Sequence, residues 1–205
     1  MLCLIWGFRP GPSFPAIWPL PAEFRNGTAT VMLSPTFKLA PDPAATLPRD
    51  CPAQRLLARA IQRYHHLALA RAGAPHAAHP GPDDDADDTG GGGGGGGGED
   101  GPRLTELLVK VGDSDAEGSA GLATDESYTL HIPADGTAAN LRAATVVGAM
   151  RGLETFAQLV QRCYDSEGLR CGGRNTFSVQ SAPWSIRDRP RFQHRGMHGF
   201  PPWAD

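Results

Sequence analysis

The apolar residues of the chain follow helical spacing in two segments. In the first segment, Pro52 suits the start of a helix and Gly73 suits its end. Between them, apolar side chains recur every three or four residues, at Leu57, Ile61, Tyr64, Leu67 and Ala68. This pattern predicts one amphipathic helix with its apolar side toward a core.

The second helical segment follows Thr145, a residue type that commonly caps helix N-termini. Two of its glycines have predicted structural roles, Gly148 in a tight turn from strand to helix and Gly152 in close packing of the helix. The residues predicted to line one side of this helix are Ala149, Leu153, Phe156, Val160 and Tyr164.

Alternation of polar and apolar residues over 127–132 predicts a strand with Tyr128, Leu130 and Ile132 on its buried face. Further candidate strands cover residues 28–33, 104–111, 139–145 and 176–180. The order is therefore strand, helix, several strands, helix and strand. This order favours an α+β fold, an antiparallel sheet with two helices packed on one face.

Residues 73–102 interrupt these patterns and predict a disordered insert rich in Gly and Asp. The stretch 83–100 holds seven acidic residues and no Lys or Arg, and residues 90–98 are nine consecutive glycines. A phosphate-binding glycine loop needs a strand before it, a helix after it and no flanking acids, so we do not assign one here. The predicted organisation is an N-terminal segment at 1–17, a folded domain at 18–186 and a linking segment at 187–205.

Charge and hydropathy exclude two classes of partner. The formal net charge is −3, and the small basic excess outside the insert is too weak for a nucleic-acid-binding surface. No window reaches the roughly 20 apolar residues that span a bilayer, so we expect no membrane partner. Residues 1–16 show no clear signal peptide, because they have no basic start and Gly7 and Arg9 interrupt the apolar stretch.

Candidate chemical sites are few. The His76/His79 and His194/His198 pairs have metal-compatible spacing, but neither lies on a predicted helix, and we predict no metal site and no cofactor. No motif of a catalytic nucleophile is present. Asn26 begins an Asn-Gly-Thr acceptor for N-glycosylation, which matters in a secreted protein.

The four cysteines are too few to form a disulfide scaffold in a chain of this length. Cys163 and Cys171 could bridge a short loop. Alternatively, Cys163 is a core residue of the second helix and Cys171 is a free thiol.

Four segments carry a family resemblance, and they occur in the family's order. They are Trp18-Pro19-Leu20-Pro21, residues 125–130 (Asp-Glu-Ser-Tyr-Thr-Leu), residues 145–159 (Thr-Val-Val-Gly-Ala-Met-Arg-Gly-Leu-Glu-Thr-Phe-Ala-Gln-Leu) and residues 186–196 (Ile-Arg-Asp-Arg-Pro-Arg-Phe-Gln-His-Arg-Gly). Together they resemble the N-terminal accessory domain of family 20 glycoside hydrolases, the β-N-acetylhexosaminidases. The resemblance implies a non-catalytic domain whose partner is a catalytic barrel. It also implies a place in the secretory pathway, a lysosome or vacuole, or outside the cell.

The intact enzymes of this family remove terminal N-acetylhexosamine residues from glycans, with the substrate's acetamido group as nucleophile and an Asp-Glu pair on the barrel. Asp125-Glu126 consists of the same two residue types but matches the accessory motif. Adjacent strand residues point to opposite faces, so these two carboxylates would not converge on one glycosidic bond. We therefore assign no catalytic residue. The family's His-Arg-Gly link places its arginine on the hydroxyls of the terminal sugar, which makes Arg195 the one candidate substrate-binding residue.

The chain departs from the family pattern in two places. After Gly196 it reads into Pro201-Pro202, which cannot continue a central barrel strand, so we expect a product truncated before the barrel and inactive alone. A family cysteine like Cys51 pairs with one ahead of the central strand, but residues 112–126 contain none. The alternative function is a stand-alone protein-interaction module derived from this domain.

Overall fold

The structure is a computed structural model that describes residues 17–44, 47–48, 50–71, 101–112, 121–162 and 176–192. Six strands and two helices follow one another within these residues. In chain order they are β1 (Glu23–Pro41), α1 (Pro52–Arg71), β2 (Arg103–Val111), β3 (Tyr128–Ile132), β4 (Ala139–Ala143), α2 (Val146–Leu159), β5 (Val160–Arg162) and β6 (Phe177–Asp188). The predicted α+β class with two helices is confirmed.

The strands form one sheet in the order β1-β2-β4-β3-β6-β5, with an additional pairing between β1 and β6. The sheet is mixed, whereas the sequence predicted antiparallel pairing throughout. Strand β2 runs parallel to both β1 and β4, and the other pairs are antiparallel. The difference follows from the connections: α1 crosses from β1 to β2, and β3 returns the chain between β2 and β4, so both pairs must align in parallel.

Strand β1 is much longer than its predicted core of 28–33. Its N-terminal half pairs with β6, and its C-terminal half pairs with β2. The register shifts between Asn26 and Val31 and again between Leu33 and Lys38. These irregularities break the strict alternation on which a sequence prediction relies, so the ends of the strand were not predicted.

Both helices pack on one face of the sheet around a continuous apolar core. Helix α1 contributes buried side chains from the predicted apolar side, including Leu57 and Tyr64. Helix α2 contributes Leu153 and Phe156, and the Phe156 ring stacks on Phe37 of β1 with centroids 5.7 Å apart. The core thus joins both helices to the sheet.

Helix α2 begins as predicted and ends earlier. The Thr145 side chain accepts a hydrogen bond from the Gly148 N–H at 3.0 Å, which confirms the predicted N-cap. The prediction that the helix continues past Leu159 is wrong, because the backbone of Val160 is extended and pairs with Val179 of β6. Val160 is apolar and buried. A buried apolar residue fits a helix and a strand equally well, so periodicity alone could not distinguish them at this position.

The two glycines of α2 both permit close packing. A Cβ on Gly152 would overlap Leu141, which confirms the predicted role of this residue. Gly148 lies inside the helix and not in a turn, and a Cβ there would lie 2.6 Å from the Ser127 carbonyl oxygen. Its role is therefore to let the helix approach the backbone ahead of β3.

Several boundaries differ from those predicted. Ile17 is buried in the core, and β6 continues to Asp188, beyond the predicted strand at 176–180. Residues 73–100 of the predicted insert lie outside the described residues, whereas the Pro102 carbonyl accepts a hydrogen bond from Met32. Cys163 and Cys171 also lie outside the described residues.

Candidate functional site

The Asp125-Glu126 pair lies just ahead of β3, and each carboxylate already has a structural contact. Asp125 accepts a hydrogen bond from the Ser127 N–H at 2.9 Å. Glu126 forms an ion pair with Arg151 of α2, with 2.7 Å between Glu126 Oε2 and Arg151 Nε. The pair therefore ties the loop before β3 to the helix behind it.

The electrostatics of Asp125 do not suit general acid catalysis. Hydrogen bonds from the Ser127 hydroxyl and N–H hold the pKa of Asp125 below its ordinary value. A general acid for glycoside hydrolysis needs a raised pKa, so that it still carries a proton near neutral pH. The Asp125 carboxylate is favoured in its charged form, so it does not resemble a proton donor.

A second polar cluster surrounds the buried hydroxyl of Tyr128. This hydroxyl lies 2.6 Å from Thr155 Oγ1 on α2, and it donates to Asp188 Oδ2 at 3.4 Å. The other oxygen of Asp188 accepts from the Ala22 N–H at 3.0 Å. Burial raises the pKa of Tyr128 above its ordinary value, so the phenol remains neutral and acts as a structural hydrogen-bonding group.

A cleft of about 590 Å³ opens beside this cluster, at the end of the sheet where β6 terminates. Its lining includes four basic residues and two acidic ones. These are Lys110, Arg142, Arg187, Arg189, Glu23 and Asp188. The cleft is therefore basic.

The sequence did not identify the basic residues of the cleft. Lys110, Arg142 and Arg187 each occupy an outward position of a strand, which is where charged residues are ordinarily found. Only the register of the sheet brings them together, and a single sequence carries no direct signal for register.

The predicted site residues fall in different parts of the molecule. Asn26 lies exposed on β1 with its side-chain amide 3.4 Å from the Gly27 carbonyl oxygen. Arg195 and the two histidine pairs lie outside the described residues. Among the residues that are described, no group of three or more His, Cys, Asp or Glu side chains is placed to hold a metal ion. No described helix is long and apolar enough to cross a bilayer.

Comparison with curated proteins finds β-hexosaminidases. The chain is 31% identical over 195 residues to beta-hexosaminidase 1 of Arabidopsis thaliana, covering 92% of this chain and 30% of that protein. It is 32% identical over 191 residues to beta-hexosaminidase subunit beta of Homo sapiens, covering 92% of this chain and 28% of that protein. The chain thus spans less than a third of the length of these relatives.

Among solved structures, the fold is similar to that of the chitobiase of Flavobacterium johnsoniae. The TM-score is 0.53 at 21% identity, and the match covers 89% of this chain and 22% of the chitobiase chain. A family model described as "beta-acetyl hexosaminidase like" matches residues 17–159, which include both helices and the first four strands. The chain therefore belongs to the beta-acetyl hexosaminidase-like family, and the part of its relatives that it matches is a minor fraction of each.

Proposed function

We propose that the chain serves as the N-terminal, non-catalytic domain of a β-N-acetylhexosaminidase, an enzyme that hydrolyses terminal N-acetylhexosamine residues of glycans. The observation that carries the proposal is the engagement of Asp125 and Glu126 in structural contacts within a domain of this family. The carboxylates needed for hydrolysis must then come from a catalytic barrel that follows in a longer product. The role of this domain is to pack against that barrel and stabilise it.

Residues 17–22, which precede β1 and are called the leading segment below, support such packing. Trp18 is 83% exposed and Leu20 is 51% exposed, although both are large and apolar. The backbone of Trp18 is nevertheless fixed, because its N–H donates to Gln158 Oε1 at 2.6 Å and its carbonyl accepts from Gln158 Nε2 at 2.9 Å. Exposed apolar side chains on an anchored backbone suit a surface that another domain covers.

Three further assignments belong to this proposal. In the intact enzyme, the Arg195 guanidinium donates hydrogen bonds to hydroxyls of the terminal sugar. Asn26 carries an N-linked glycan, and its exposed position on β1 leaves room for one. The product is directed to the secretory pathway and acts in a lysosome or vacuole, or outside the cell.

The first experiment measures hydrolysis of an aryl N-acetyl-β-glucosaminide. Residues 1–205 should show no turnover above background, because Asp125 and Glu126 are engaged in structural contacts and the proposed catalytic carboxylates belong to the barrel. Turnover that survives purification and is abolished by Glu126→Gln, but not by the charge-matched variant Glu106→Gln, would contradict the proposal.

The second experiment fuses the catalytic barrel of a similar hexosaminidase after Gly196. The fusion should hydrolyse the substrate, and Trp18→Ala should lower its activity and its melting temperature. Leu122→Ala is the matched control, since Leu122 is also exposed, at 67%, but is not in the leading segment. A well-folded fusion that remains inactive would favour the stand-alone interaction module instead.

A further inference from the structure

A row of basic side chains crosses the face of the sheet opposite the helices. Pairing places Arg187 of β6 opposite Thr129 of β3, Thr129 opposite Arg142 of β4, and Arg142 beside Lys110 of β2. Partner residues project from the same face, and neighbouring strands lie about 4.8 Å apart, so the row spans about 14 Å. Lys110, Arg142 and Arg187 are called the basic row below.

The basic row is only partly compensated by nearby carboxylates. Within the described ranges, no carboxylate forms an ion pair with any of its three members; the ion pair found there joins Arg151 and Glu126. Glu23 lies opposite Arg187 at one end of the row. Asp188 also lines the cleft, so four basic residues of the lining face two carboxylates and the excess charge is positive.

The basic row lies in a groove with other polar, hydrogen-bonding groups. A depression of about 160 Å³ adjoins the 590 Å³ cleft and shares Thr129, Arg142 and Arg187 with it. His131, Asn140 and Ser185 complete the polar lining of this depression. The two together form the basic groove, in which cations alternate with groups that can donate to or accept from hydroxyls.

We propose that the basic groove binds a linear anionic glycan, a sugar chain that carries sulfate or carboxylate groups at intervals along its length. Arginine forms paired hydrogen bonds with the planar or tetrahedral oxygens of such groups, and Lys110 adds a point charge. Thr129, Asn140 and Ser185 suit the sugar hydroxyls between the anionic groups. This binding does not depend on the function proposed above.

Other classes of ligand fit the groove less well. The one Phe, Trp or Tyr residue of its lining, Tyr128, is buried and cannot stack on a nucleic-acid base. The exposed large apolar side chains of the described residues are Trp18, Leu20, Leu122 and Phe192, and none of them lines the groove. The surface is therefore unsuited to a membrane or to an apolar protein interface.

The test is calorimetric titration of residues 1–205 with a heparin-derived octasaccharide. We expect binding that weakens steeply between about 50 and 200 mM salt, because counterions are released from a linear polyanion. A chitin oligosaccharide of equal length, which has no charge, should bind at least about tenfold more weakly. A polyglutamate peptide of matched charge is the probe for an acidic protein partner and should also bind more weakly.

Two matched double variants locate the site. Lys110→Gln with Arg142→Gln should weaken octasaccharide binding at least about tenfold, which is the loss expected for two charged contacts. Arg59→Gln with Arg63→Gln removes the same charge from exposed positions of α1 and should leave affinity within about twofold. Equal losses in the two variants, equal binding of polyglutamate, or no binding of the octasaccharide would each overturn the proposal. Circular dichroism establishes that both variants remain folded.

Discussion

Replacing Gly152 with alanine tests whether the close contact between α2 and the sheet requires glycine. A Cβ at this position would overlap Leu141 Cδ1, and it would lie 3.0 Å from Tyr128 Cδ2 and 3.1 Å from Leu141 Cδ2. Leu141 is fully buried and Tyr128 is 3% exposed, so neither the Leu141 side chain nor the Tyr128 ring can move into open space. We therefore expect Gly152→Ala to destabilise the fold.

The magnitude follows from two opposing effects. In an unhindered helix the change from glycine to alanine stabilises by about 1 kcal/mol, because alanine loses less backbone entropy. An additional methyl group in a filled core costs about 1–3 kcal/mol, and three close contacts place this site at the upper end. The expected net loss is about 2 kcal/mol, which lowers the melting temperature of a chain of this size by about 4–8 °C.

Urea unfolding followed by circular dichroism measures this loss, and a double-mutant cycle assigns its cause. Leu141→Val shortens the obstructing side chain, so Gly152→Ala should cost at least about 1 kcal/mol less in that background. Gly101→Ala is the control, because a Cβ there meets nothing within 4 Å. An unchanged free energy of unfolding in Gly152→Ala, or an equal cost in both backgrounds, would refute the close-contact explanation.

Three further changes test the polar contacts. Tyr128→Phe should cost about 1–2 kcal/mol in urea unfolding, because it leaves the buried Thr155 hydroxyl without its partner at 2.6 Å; Thr155→Val in the same chain should recover part of the loss. The folded-state pKa of Asp125 is lowered, so its stabilising effect is present above the unfolded value of 3.8 and is lost as pH falls through the folded value. The stability of Asp125→Asn should therefore fall less steeply than that of the wild type below about pH 4. Arg151→Gln should cost less than about 1 kcal/mol, since Arg151 is half exposed and salt screens its pair with Glu126, and a larger loss would indicate a buried pair.

The sequence predicted the elements whose pattern is local. Helix α1 has helical spacing from Leu57 to Ala68, and the structure buries the predicted side of it. The alternation around Leu130 is regular over the whole of β3. The Thr145 cap depends on a side chain three residues from its N–H partner, so it could also be predicted.

The remaining features depend on contacts between residues far apart in the chain. The parallel pairing of β1 with β2 follows from where α1 crosses the sheet, and the strand pattern by itself does not contain that information. Strand β5 is three residues long and directly continues α2, which makes its apolar Val160 look helical. The cleft could be predicted only from the register of four strands, because a shift of one residue would move Arg142 to the opposite face of the sheet.

The hydrogen bonds of Asp188 join three parts of the described fold. This carboxylate at the end of β6 accepts from the Ala22 N–H, 166 residues away, and from the Tyr128 hydroxyl on the central strand. Gln158 holds Trp18 in the same leading segment, so the segment is fixed at both of its ends. A surface that is already ordered loses little conformational entropy when another domain covers it, and more of the apolar burial then stabilises the pair. The exposed side chains of Trp18 and Leu20 therefore lie on a backbone that is already held in place, which supports the proposed packing against another domain.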